Sequence, residues 1–159
     1  MRIKHGIWVI IADSEKYIVL INQGSADMLD LRVEYQGEND NPATHEQGSD
    51  RPGRFASPHG RGADVPAARS MAHGRVSALQ ETDWHQLAKK AAAHDMAEKI
   101  NRWAQSKDCA AMVLAMDPKT LGVVRGNLTA RAKSKIVDEI AKDFTNHTVE
   151  HIERLLSED

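Results

Sequence analysis

Six consecutive apolar residues, Ile7-Trp8-Val9-Ile10-Ile11-Ala12, leave no position for a face in water. A strand with that pattern is buried on both sides, as in sheets covered by helices, so it belongs in the middle of its sheet. Asp13-Ser14-Glu15 then makes a tight turn into a second strand, Tyr17-Ile18-Val19-Leu20-Ile21. Leu31-Arg32-Val33-Glu34-Tyr35 alternates strictly, which predicts a third, more peripheral strand with one face on the core and the other in water. Cys109 to Met116 is another fully apolar run, short enough to be a buried strand reached after a crossover helix. The pattern is that of an α/β protein.

The periodicity stops at Glu38. From there to Arg75 the chain carries five of its ten glycines, four of its five prolines, and Arg51, Arg54, Arg61, Arg69 and Arg75 without a lysine. A long Gly/Pro/Arg-rich insertion of this kind, residues 38–80, is expected to be an extended or disordered functional loop within a single domain spanning 1–159. The length of 159 residues and a 41% hydrophobic content suit one core and not two. Twenty-one basic against 23 acidic side chains argue against a nucleic-acid coat but leave room for a local basic patch. Cys109 is the single cysteine, so no intramolecular disulfide forms, and its apolar neighbours make it a buried small hydrophobe. The apolar run near the amino end is too short for a leader, and no stretch is long enough to span a membrane, which together predict a cytoplasmic protein.

After the insertion, Glu81-Thr82-Asp83 is expected to open a long helix, with Thr82 or Asp83 as its cap. Trp84, Leu87, Ala88, Ala91, Ala92, Met96, Ile100 and Trp103 would form its apolar side. Asp117-Pro118 has the cap-then-proline signature of a further helix start. Ala130 to Phe144 fits two readings. Ile136, Val137, Ile140, Ala141 and Phe144 make a helical stripe, whereas Lys135 to Ala141 also reads as a half-buried edge strand after a short helix from Leu128 to Lys133. Asn146-His147-Thr148 then starts a last helix with Val149, Ile152, Leu155 and Leu156 facing inward.

Chemistry is sparse. His147-Thr-Val-Glu150-His151 matches the inverted zincin string, but a third ligand is missing, and a surface helix that carries two histidines is the better account. Asp13 and Asp117 each follow an apolar strand; if those strands are parallel, both carboxylates sit at one sheet edge. With Glu15 or Glu139 they would suit Mg²⁺ in a metal-dependent nuclease, a distant alternative to turn and cap roles. The remaining histidines show no paired ligand spacing, and no nucleotide-binding glycine motif occurs, so neither metal nor cofactor is expected. The arginines have more to offer. Guanidinium groups spaced by glycine bind phosphates or carboxylates in bidentate fashion, which nominates residues 45–85 as the contact region for a protein or RNA partner. Asp50, Arg51, Arg54, Arg61, Asp83 and His85 are its candidate binding residues, although pairs such as Asp50 with Arg54, or Arg54 with Glu81 or Asp83, would instead anchor the loop to the helix.

Glu38 to Arg54, Glu81-Thr-Asp-Trp-His85, Asp143-Phe-Thr-Asn-His147, the opening Gly6-Ile-Trp-Val-Ile-Ile-Ala-Asp13 and Pro118-Lys-Thr-Leu-Gly122 together resemble the bacterial host attachment protein family. That family is similar in fold to the middle domain of archaeo-eukaryotic translation release factors. The resemblance implies a mixed sheet of about five strands flanked by helices, related to ribosomal-protein modules, and it favours the strand at Lys135 to Ala141. It brings no catalytic residue: the Gly-Gly-Gln tripeptide of the peptide-release factors does not occur, so peptidyl-tRNA hydrolysis is not implied. A non-enzymatic role that acts indirectly on attachment to host cells, through protein or RNA partners, is the expectation. A ribosome- or RNA-associated module is the alternative, and a homo-oligomer is compatible with either.

Overall fold

The computed structural model describes residues 2–38 and 73–158, with side chains of the second stretch from His85 onward. Met1–Asn41 and Ala88–Asp159 form one compact unit. This unit contains the whole sheet. Its strands are β1 (Trp8–Ala12), β2 (Lys16–Asn22), β3 (Leu31–Glu38), β4 (Met112–Met116) and β5 (Ile136–Ile140), in the order β3-β2-β1-β4-β5. The first three run antiparallel to one another, whereas β1, β4 and β5 are parallel neighbours, so the sheet is mixed.

β1 is central for the reason its sequence gives. Trp8, Ile10 and Ala12 enter one buried cluster, and Val9 and Ile11 enter the cluster on the opposite face. Helices α1 (His73–Trp103), α2 (Pro118–Asn127) and α3 (Ala130–Lys135) cover the first face, the described part of α1 contributing Ala93, Met96, Ala97 and Ile100. Helix α4 (Val149–Glu158) covers the second through Ile152 and Leu156. The expected α/β architecture, five strands with flanking helices, is what the chain adopts.

Three details differ from the expectations. Helix α1 opens at His73 rather than at Glu81, so Thr82 and Asp83 lie inside it and do not cap it, and the last residues of the 38–80 stretch are helical. Its buried stripe is Ala92, Ala93, Met96, Ala97 and Ile100; Ala91, half a turn out of phase with Ile100, is exposed, as is Leu87. The strict alternation of β3 is also broken. Val19 pairs with Tyr35 and Leu20 with Val33, which leaves Glu34 without a partner in the register, so Val33 and Tyr35 fall on opposite faces of the sheet.

The ambiguous stretch resolves as α3 followed by β5. The Thr129 hydroxyl accepts from the Ala132 N–H to cap α3, and the Ile136 N–H closes its end on the Lys133 carbonyl. β5 has its own irregularity: Ile136 pairs with Met112 and Asp138 with Val113, so Val137 drops out of the ladder and stands 58% exposed. Both edge strands thus interrupt their ladders, a feature that discourages pairing with a further strand. Among the described residues no helix is long and apolar enough to cross a membrane.

Candidate functional site

In the register, Ala12 of β1 lies opposite Met116 of β4. The next residues, Asp13 and Asp117, therefore emerge side by side at the carboxyl end of the parallel strands. The chain leaves β1 toward β2 on one side and leaves β4 toward β5 on the other, so this is where the strand order reverses, the usual place for a site in an open α/β sheet.

Each carboxylate is committed to the fold. Asp13 Oδ1 accepts the N–H groups of Glu15 (2.6 Å) and Lys16 (2.7 Å), which builds the β1–β2 turn. Asp117 Oδ1 accepts from Lys119 N (3.0 Å) and Thr120 N (3.2 Å) as the N-cap of α2, ahead of Pro118 as its sequence foretold. Burial alone would raise the Asp117 pKa, but the bonds from the Thr120 side chain and the two backbone N–H groups, with Lys89 nearby, bring it below the ordinary carboxylate value. Of the glutamates that could join them, Glu139 is ion-paired with Arg125, and Glu15 is exposed in the turn. Among the described residues no three His, Cys, Asp or Glu side chains are placed to hold an ion.

Beside Asp13 the fold assembles a polar knot that pattern reading missed. The buried Thr145 hydroxyl lies 2.8 Å from Asp13 Oδ2 and 2.7 Å from Asp143 Oδ1, and the Thr145 N–H donates to the same Asp143 oxygen. Lys16 Nζ donates to Asn146 Oδ1 at 2.8 Å. The segment Asp143 to Asn146 after β5 is thereby tied to the β1–β2 turn, a link between two of the stretches that carry the family resemblance. A short Asp-x-Thr string gave no signal at that distance in sequence. Asn22 was missed for the same reason: fully buried, it donates to the Ile3 and Ser25 carbonyls and accepts from Gly24 and Asp30 N–H groups.

Of the candidate binding residues, Asp50, Arg51, Arg54 and Arg61 lie outside the described residues, as does the side chain of Asp83. His85 is exposed on α1. His147 precedes α4 rather than sitting on it, yet its ring centroid is 4.6 Å from that of His151, and no third ligand joins the pair among the described residues. Cys109 is buried as expected. Burial raises its thiol pKa, with Lys135 opposing, so it is a poor nucleophile.

A second surface lies on the α1 face. Tyr35 stacks on Trp103 with ring centroids 6.0 Å apart and planes 11° from parallel, and Tyr17 meets the same indole at 5.8 Å. Lys99 Nζ lies over the Tyr17 ring, 5.2 Å from its centroid. Trp103, expected in the core, is only partly buried, and Tyr35 is 43% exposed.

A mixed five-stranded sheet with helices on both faces is the architecture of the release-factor middle domain. The chain belongs to the family described as bacterial archaeo-eukaryotic release factor family 12, which it matches over residues 6–156. It is also 33% identical over 78 residues to an uncharacterized protein of Rickettsia prowazekii (strain Madrid E), covering 49% of this chain and 50% of that protein. The chain thus spans about half the length of that curated relative. Kinship with a release-factor domain supports a translation- or RNA-associated binding role more than one in host attachment.

Proposed function

We propose that this protein is a non-catalytic binding module of the translation apparatus that associates with RNA or with the ribosome. The family match over residues 6–156 is the observation that carries this reading. At the sheet edge, Asp13 and Asp117 serve a turn and a helix cap. Residues 45–85, with Asp50, Arg51, Arg54, Arg61, Asp83 and His85, are the candidate contact region for phosphates. Effects on attachment to host cells would then follow indirectly, through what is translated, from a protein working in the cytoplasm. The test is sucrose-gradient sedimentation of the full chain with ribosomes at low salt. Co-migration that is lost when Arg51, Arg54 and Arg61 are changed together to glutamine supports the reading, and a wild-type protein that stays at the top of the gradient refutes it.

A further inference from the structure

We infer that Tyr35, Tyr17, Trp103 and Lys99 form a stacking platform for unpaired bases of single-stranded RNA. The inference rests on the RNA-associated reading and names the surface and the kind of RNA.

Two departures from regular sheet geometry build this surface. With Glu34 omitted from the register, Tyr35 points to the Trp103 side rather than sharing a face with Leu31 and Val33. Bulges at sheet edges commonly re-aim a side chain in this way. The second is Gly37, the direct partner of Tyr17 in the β2–β3 ladder. A Cβ there would stand 2.7 Å from the Tyr17 hydroxyl and 2.8 Å from its ring, so glycine is what lets the phenol lie across β3. The result is a row of aromatic rings running from helix α1 to the outermost strand.

Such a row has more ring surface than a core needs at that position. Tyr35 keeps 43% of its surface in solvent although it stacks on an indole. Aromatic rings presented on a sheet take up bases by stacking, which tolerates any sequence because every base offers a π-face. The charge around the rings suits a polyanion. Lys99 is held over Tyr17 by a cation–π contact, Arg102 is exposed one residue before Trp103, and among the described residues no carboxylate pairs with either. Double-stranded RNA keeps its bases stacked inside the helix and cannot use the rings.

The test is fluorescence anisotropy of a labelled 12-nucleotide unstructured RNA with the full chain, titrated at several salt concentrations. Each variant is first shown to melt cooperatively at the wild-type temperature. Tyr35→Ala is expected to weaken binding about 10-fold with the salt slope unchanged, since one stacked base is worth roughly 1–3 kcal/mol. Tyr35→Phe, which keeps the ring, should bind as wild type. Lys99→Gln should weaken binding and reduce the slope of log K against log salt by about 0.7, one phosphate contact on a single strand. Wild-type binding with Tyr35→Ala and Lys99→Gln both within twofold of it would overturn the platform while leaving the RNA-associated reading intact. Equal preference for a duplex of the same length would overturn it as well. Absence of any wild-type binding to RNA, together with failure to sediment with ribosomes, would overturn both.

Discussion

Replacing Thr145 by valine keeps the shape of a buried side chain and deletes one hydroxyl. In the native fold that hydroxyl sits between Asp13 Oδ2 and Asp143 Oδ1, at 2.8 Å and 2.7 Å, with one proton to give. A hydrogen bond to a charged group is worth about 1.5–3 kcal/mol, so Thr145→Val is expected to destabilise the protein by about 2 kcal/mol. Thr145→Ser retains the bond and loses a methyl, a cost of about 1 kcal/mol. Measured by thermal melting, a change of 2 kcal/mol in a chain of this size lowers Tm by about 4–8 °C. A double-mutant cycle with Asp13→Ala isolates the contact: Asp13→Ala alone also loses the turn bonds to Glu15 and Lys16, but the coupling with Thr145→Val should be about 1–2 kcal/mol. If Thr145→Ser were as harmful as Thr145→Val, or the coupling were near zero, the view of Asp13 as a structural carboxylate bound to the Thr145 knot would be wrong.

The pH dependence of Asp117 follows from its depressed pKa. Its stabilising contribution is fully present above the ordinary carboxylate value and is lost as pH falls through the lower native value, so the advantage of wild type over Asp117→Ala in urea melts should be constant above about pH 5 and shrink progressively as the pH falls below about 4. Cys109, buried with a raised pKa, should resist a thiol-specific disulfide reagent in the native protein and react at once in denaturant. Gly24→Ala puts a Cβ 2.2 Å from the Met28 carbonyl oxygen and 2.8 Å from the Asp30 N–H, both backbone atoms; the forced shift should cost about 1–3 kcal/mol in equilibrium unfolding. Gly37→Ala meets only the Tyr17 side chain, so it should cost less than Gly24→Ala and act mainly on RNA affinity.

The parts of this fold that the sequence reveals are those where one property decides the outcome. Ile7 to Ala12 could only be a central strand, because every side chain demanded burial and both faces of β1 are in fact buried. Asp117-Pro118 could be read as a helix start because cap and proline act locally, within the bonds that Asp117 makes to Lys119 and Thr120. The carboxyl-edge pairing of Asp13 with Asp117 was also legible, conditional on the parallel pairing of β1 with β4 that the register supplies. Their chemistry was not, since what an aspartate does depends on which N–H and O–H groups reach it, and Thr145 arrives from 132 residues away.

The failures share a cause of the opposite kind. Leu31 to Tyr35 alternates without fault, yet the face a residue occupies is set by the register against β2, and omission of Glu34 from the ladder reverses it for Tyr35. At the other edge Val137, inward only in the helical stripe, drops out of the ladder because Ile136 and Asp138 take consecutive partners on β4, and it stands exposed. Edge strands have a single neighbour, so one skipped residue costs little there, and it discourages association through the open edge. At β5 the skipped residue leaves an isolated valine. At β3 the skip delivers a tyrosine onto a tryptophan next to Lys99, which no carboxylate among the described residues pairs, and Gly37 clears the way for a second tyrosine. Deleting Glu34 removes the unpaired residue but keeps the pairs Val19–Tyr35 and Leu20–Val33. Val33 and Tyr35 then follow one another and alternate between the faces, so the sheet should still melt cooperatively, Tyr35 should stay on the Trp103 side and RNA affinity should remain within twofold of wild type. A folded Glu34 deletion that lost affinity as far as Tyr35→Ala does would show that the pairing of Val19 with Tyr35 is not what aims the ring.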